Sequence, residues 1–231
     1  MAVESKTLPA VPDAYRRYFV WAQIVIAFLF LELAIWAPTT EIRNRWAAIA
    51  ATTILILMLI DVLIGRSSRS SPSSLHRLGL GLPNVSGASV VLGIGSATAA
   101  LMVILVRWAG GQIPANPTWF PNLQSAWGYV VWAMLQEFLL QSFFFNRFEE
   151  LYGSSAAVWM ASTLFAAAHL PSPVLTTATL IGALFFCEMF RRYRSIYPLG
   201  IVHAMLGLTI AILMPDSLLH HMRVGIGYLR Y

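Results

Sequence analysis

Apolar residues in this chain gather into long runs separated by short polar breaks. They do not recur with the one-sided period of a helix lying on a soluble core. The runs cover 18–37, 46–65, 86–107, 125–146, 155–170, 174–192 and 196–214, the fifth being short. A helix needs about 20 predominantly apolar residues to cross the hydrocarbon of a bilayer. The pattern therefore predicts about seven spans, within a range of six to eight. Backbone amides and carbonyls in hydrocarbon must be satisfied within the segment, so the spans are expected to be helices rather than strands. The predicted fold is an all-α, polytopic transmembrane bundle, with 1–231 a single membrane domain. Between the runs lie a Ser-rich link at 67–74 and a stretch at 109–124 rich in Gly, Pro and aromatics, expected at headgroup level. Pro171 and Pro173 are expected to end the fifth run, and the tail 215–231 is expected to be an interfacial piece.

Composition sharpens this picture. The chain is 58 % hydrophobic and only 11 % charged, with mean hydropathy +0.69. Soluble domains carry about 45–50 % apolar and ~25 % charged residues. A soluble globular enzyme, a disordered chain and a nucleic-acid binder working through a basic face are excluded. The net charge of +5 then reports orientation rather than an anionic partner. Lys6, Arg16, Arg17, Arg66, Arg69, Arg77, Arg147, Arg191, Arg192 and Arg194 fall on the side of the N-terminus. Arg43, Arg45, Arg107, Arg223 and Arg230 fall on the other. The bias predicts a cytoplasmic N-terminus. The first 17 residues are polar and the run after them is too long for a signal-peptide core, so no cleaved signal is expected. The single cysteine, Cys187, excludes an intramolecular disulfide and is expected to pack in the core.

Ionisable groups within spans are costly, and each needs a partner or a function. Six require explanation: Glu32, Asp61, Glu137, His169, Glu188 and His203. Glu32 and Asp61 lie toward opposite ends of their spans, where paired or snorkelling carboxylates are ordinary; Arg66 is near Asp61. Glu188 can pair with Arg191 or Arg192 at i+3 and i+4. Glu137 is mid-span, with Gln141 one turn on along the same face and Gln136 rotated from it by about 100°. His169 follows Phe165 by one turn, and Gly207 follows His203 by one turn. Two imidazoles, a carboxylate and amides on three spans could hold a water and shuttle its proton. His220 and His221 in the tail are expected to be interfacial, with Tyr228 and Tyr231 in the aromatic belt.

The same residues resemble the signature of the CPBP family of intramembrane proteases, which includes CAAX prenyl endopeptidases and many bacterial homologues. That signature has three parts on separate spans: E-E-x-x-x-R, F-x-x-x-H, and H-x-x-x-N with variation at its last position. Gln136-Glu137 stands where the paired Glu would be, with Gln141 in place of Arg. Phe165-Ala-Ala-Ala-His169 matches the second part, and His203-Ala-Met-Leu-Gly207 matches the third except for its Asn. Leu78-Gly-Leu-Gly-Leu-Pro83 and Ser195-Ile-Tyr-Pro198 are also similar, so the resemblance covers 76–214.

The resemblance implies an intramembrane endopeptidase of glutamic type, cutting near a membrane-embedded or lipidated segment in a bacterial inner membrane. In the family the first Glu activates water while the two His support the nucleophile and the oxyanion. Gln136 cannot do this, because a carboxamide is not a useful base. Glu137 becomes the candidate, provided a helix rotation or a local bulge turns it inward; Glu188 is the other candidate carboxylate. The expected catalytic set is Glu137, His169, His203 and Gln136, supported by Gln141, Phe165, Gly207 and Glu188. The alternatives are a pseudoprotease that binds a hydrophobic tail or partner helix, and an enzyme acting on a lipid or isoprenoid in the same cavity. No cofactor is implied. A divalent metal stays open, since His169, His203 and Glu137 could supply three ligands. Expected partners are membrane lipid and a hydrophobic or lipidated peptide, or a partner transmembrane segment, and not nucleic acid. One spacing problem remains. At 1.5 Å per residue, His169 lies about 20 Å along its span and His203 only about 10 Å along its own, although both spans start from the cytoplasmic side.

Overall fold

The computed structural model describes residues 13–66, 74–112 and 123–230. The Ser-rich link and much of the 109–124 stretch lie outside these residues, as do Tyr231 and the side chains of Asp61 and Arg66. The chain runs through α1 (Asp13–Ile35), α2 (Thr40–Arg66), a single turn α3 (Ser74–Arg77) and α4 (Val85–Trp108). Next comes α5 (Leu123–Glu137), which passes without a break into a π-helical segment (Phe138–Phe145) and then α6 (Asn146–Tyr152). The remainder is α7 (Ser154–Ala167), α8 (Pro173–Tyr193), α9 (Tyr197–Leu213) and the short tail turns α10 (Asp216–Leu219), a 3-10 turn (His220–Met222) and α11 (Ile226–Leu229).

Every predicted apolar run has its helix. Four are long and apolar enough to cross a membrane: Ala14–Ile35, Thr40–Ile60, Val85–Trp108 and Pro173–Tyr193, while Ser154–Ala167 and Tyr197–Leu213 are shorter. Only 11 % to 28 % of each long window is buried inside the protein. The remaining apolar surface, including Leu29, Leu59, Ile104 and Ile181, is exposed. Such a surface suits acyl chains, not water, and the protein is an integral membrane helical bundle.

The buried centre belongs to the segment that the pattern read as one uniform span. The π-helical sequence Phe-Leu-Leu-Gln-Ser-Phe-Phe-Phe buries Leu140 through Phe145, and Phe148 and Phe190 pack with it. Phe145 meets Phe190 edge-on at 5.4 Å. A π turn widens the helix and misaligns carbonyls that an α-helix would satisfy. Side chains from the following turn take up the slack. Asn146 Nδ2 donates to the Ser142 carbonyl at 3.1 Å and Arg147 Nη1 to the Phe143 carbonyl at 3.1 Å. Ser142 Oγ donates to the Leu78 carbonyl at 2.5 Å, tying the wide turn to the segment before α4.

Arg147 corrects the charge reading. It is not a loop residue but is 4 % exposed, with Nε donating to Gln23 Oε1 at 2.6 Å and its guanidinium 3.6 Å above the Phe143 ring. The neighbouring charges do sit at the helix ends. Arg194 reaches Glu149, Arg16 meets Glu150 at 2.7 Å, and both oxygens of Glu188 are taken by Arg191 and Arg192. At the far end the tail folds back. The Gly225 amide donates to the Leu170 carbonyl at 2.8 Å, and Arg230 donates to the Pro38 carbonyl. His221 pairs with Asp216 at 2.8 Å, and His220 stacks on Tyr228 at 4.2 Å.

Candidate active site at a buried carboxylate–imidazole pair

Glu137 is the last residue of α5 before the helix widens, and it is fully buried. The local bulge that an inward carboxylate required is the π segment beginning at the next residue. Its Oε1 accepts from His203 Nδ1 at 2.8 Å, and its Oε2 accepts from Gln141 Nε2 at 3.1 Å. Both carboxylate oxygens are thus held, one across helices and one along its own. A carboxylate can only accept, so the contact places the His203 proton on Nδ1 and turns Nε2 outward as a lone-pair acceptor.

His169 is set the same way by a different acceptor. It lies just beyond the end of α7, and its Nδ1 donates to the Phe165 carbonyl at 2.8 Å. The Phe165 ring touches both imidazoles, 4.8 Å from His169 and 6.0 Å edge-on to His203. The two histidines are also within electrostatic reach of each other. The expected offset does not keep the two imidazoles apart, since one ring, Phe165, touches both. Phe186 stacks flat on His203 at 5.4 Å, closing the remaining face of that ring. Neither Nε2 has a hydrogen-bond partner among the described residues.

Helix α9 can carry His203 to Glu137 only by lying very close to α5. A Cβ on Gly200 would stand 2.2 Å from Met134 Sδ, and one on Gly207 would stand 2.0 Å from Tyr129 Oη. Gly207 therefore does more than lack a side chain: its space is occupied by the Tyr129 hydroxyl, one turn from His203 on α9. Sequence reasoning missed Tyr129, although it precedes Gln136 by two turns on the same helical face, a spacing of seven residues. It also missed Cys187, Ser162 and Gln141 as a group. The thiol lies against Ser162 and Gln141 and within electrostatic reach of Glu137. Gln141 Oε1 and Ser162 Oγ are buried polar atoms beside this thiol, with no nitrogen or oxygen partner among the described residues.

Two expected residues are not joined to the pair. Gln136 is half-buried and makes no hydrogen bond among the described residues. Glu188 is bound by Arg191 and Arg192 at distances of 2.5–2.7 Å, which leaves it no free oxygen for a role as base. For a metal, the donor set falls short. A catalytic zinc takes three protein ligands, the Glu137 oxygens are already engaged, and no group of three His, Cys, Asp or Glu is gathered among the described residues.

Residues 118–209 match the family model described as type II CAAX prenyl endopeptidase Rce1-like. No curated protein and no solved structure matches the chain. The matched span contains Tyr129, Glu137, His169, His203 and Gly207, and so covers the whole of the cluster just described.

Proposed function

We propose that the Rce1-like domain at 118–209 is an intramembrane endopeptidase in which His203, held by Glu137, activates the water. The observation that carries this reading is the 2.8 Å bond between His203 Nδ1 and the fully buried Glu137 carboxylate. A carboxylate on Nδ1 fixes the tautomer and stabilises the imidazolium that forms when Nε2 takes a proton. Glu137 then serves as positioning residue and counter-charge. The base is an imidazole, which removes the need for a carboxylate at 136.

The reaction follows from these placements. Nε2 of His203 takes one proton from a water, and the oxygen attacks the peptide carbonyl carbon. The same proton passes to the departing amide nitrogen as the C–N bond breaks, giving a carboxylic acid and an amine. His169 Nε2, on the second imidazole in contact with Phe165, accepts the other proton of the same water as a hydrogen bond and aims its lone pair. The Tyr129 hydroxyl, which lies against Gly207 one turn from His203, is a neutral donor on this part of α9 and supports the oxyanion.

A second reading is favoured by Gln136, which stands where the resembled signature has its first Glu. In that reading the cluster binds a lipidated tail or partner helix without cutting. Proteoliposomes offered a quenched fluorescent peptide ending in a farnesylated Cys and three further residues, and its unprenylated twin, separate the two. Cleavage by the parent that falls about 10²–10⁴-fold in His203→Ala supports the protease. Capture of either peptide with no cleavage, by the parent and by Gln136→Glu alike, supports the binder.

A further inference from the structure

A second polar site lies away from the pair, where α1 turns into α2. A cavity of about 290 Å³ opens there between Glu32, Trp36, Pro38 and Trp46, floored by Leu29 and Leu33. Trp36 Nε1 donates to Glu32 Oε2 at 3.0 Å. The other oxygen, Oε1, is buried and has no hydrogen-bond partner among the described residues. Trp46 is held against the cavity by stacking on Phe30 at 5.8 Å. Arg230, on the tail, donates to the carbonyl of Pro38 and so sets a guanidinium at the rim. Glu32 is one turn from the end of α1, which puts the cavity at the depth where helices give way to loops.

We propose that this cavity binds the head of a zwitterionic aminophospholipid of the phosphatidylethanolamine type. The buried acceptor Oε1 calls for an N–H donor, and a primary ammonium carries three. Two indoles beside a carboxylate attract a cation by their ring faces as well as by charge. The phosphate of the same headgroup lies a few ångströms from its ammonium, within reach of the Arg230 guanidinium, which still has N–H groups to offer. Opposite charges at one mouth thus match a zwitterion, whereas an anionic headgroup meets the Glu32 carboxylate. A choline head satisfies the charge but brings no N–H to Oε1. Leu29, Leu33 and Ile42 extend the cavity wall as apolar surface for the acyl chains. The proposal is independent of the proteolytic reading, since it shares no residue with the His203 cluster.

The test is native mass spectrometry of the whole protein after exchange into equimolar phosphatidylethanolamine, phosphatidylcholine and phosphatidylglycerol of matched chains. The parent is expected to retain one phosphatidylethanolamine with about tenfold preference or more, the size of effect one charge-assisted hydrogen bond supplies. In Glu32→Gln, which keeps the volume and the acceptor for Trp36, that preference should vanish. In Arg230→Ala, which removes the guanidinium held at the Pro38 carbonyl, phosphatidylethanolamine retention should fall while its lead over phosphatidylcholine persists. Equal retention of the three lipids by the parent overturns the proposal. So does an undiminished preference in Glu32→Gln, which would mean that no ionic contact is made there.

Discussion

Glu137 is a carboxylate whose two oxygens serve two different purposes, and substitutions separate them. Glu137→Gln retains an acceptor for His203 Nδ1 but loses the counter-charge for an imidazolium. Cleavage should fall about 10²–10⁴-fold, with little change in resistance to unfolding in SDS. Glu137→Ala removes both acceptors and leaves the His203 and Gln141 donors buried and unpaired. It should lower stability as well, by about 1–3 kcal/mol for each stranded donor. Equal activity in the parent and Glu137→Gln would remove the carboxylate from the mechanism. At this scale the sequence was informative where partners are local. The Glu137–Gln141 bond is an i, i+4 pair and Glu188 meets its arginines at i+3 and i+4, and both could be read from spacing. The Glu137–His203 bond spans 66 positions and needed the tertiary fold. Arg147 counted among the charges between the runs because it directly follows 125–146, yet its side chain turns inward, onto Gln23 and the Phe143 ring.

Helices were legible from apolar run length, but how they dock was not, because docking turns on the smallest side chains. Gly207 shows the consequence. A single methyl there would stand 2.0 Å from Tyr129 Oη, so α9 must move away from α5. Gly207→Ala is expected to cost about 1–3 kcal/mol, as other overpacked contacts do. It should also lower activity by pulling His203 from Glu137. Tyr129→Leu in the same chain makes room again. A double-mutant cycle should therefore return a favourable coupling of about 0.5–3 kcal/mol in SDS unfolding, and additive effects would mean that the two residues do not share this space. The π segment was equally hidden, since its sequence of Phe and Leu suits any buried helix. Only the need to turn Glu137 inward hinted at a bulge. The side chains that relieve the wide turn, Asn146 and Arg147, carry no pattern by which to recognise them beforehand.

Across the whole molecule, the C-terminal tail closes over both the α1–α2 turn and the turn that carries His169. Gly225 makes this closure possible. Its amide donates to the Leu170 carbonyl, and its φ of 55° with ψ of −135° is open to glycine but strained for any other residue. A Cβ there would also stand 2.6 Å from the backbone carbonyl oxygen of Ile35, which cannot swing aside as a side chain could. Gly225→Ala should therefore lift the tail from both α1 and the 168–172 turn while leaving α5 and α9 in place. His169 would keep its bond to Phe165, since that bond lies within its own chain segment, but the turn behind it would lose its outside support. Amide hydrogen exchange reads this directly. Protection should drop at 168–172 and around 35–38, and stay unchanged along 129–145 and 199–211. Loss of protection throughout would make the tail part of the global fold instead, and unchanged protection at 168–172 would mean that the turn stands by itself. Local opening at the turn should slow cleavage less than His169→Ala does, because the imidazole still reaches its place for part of the time.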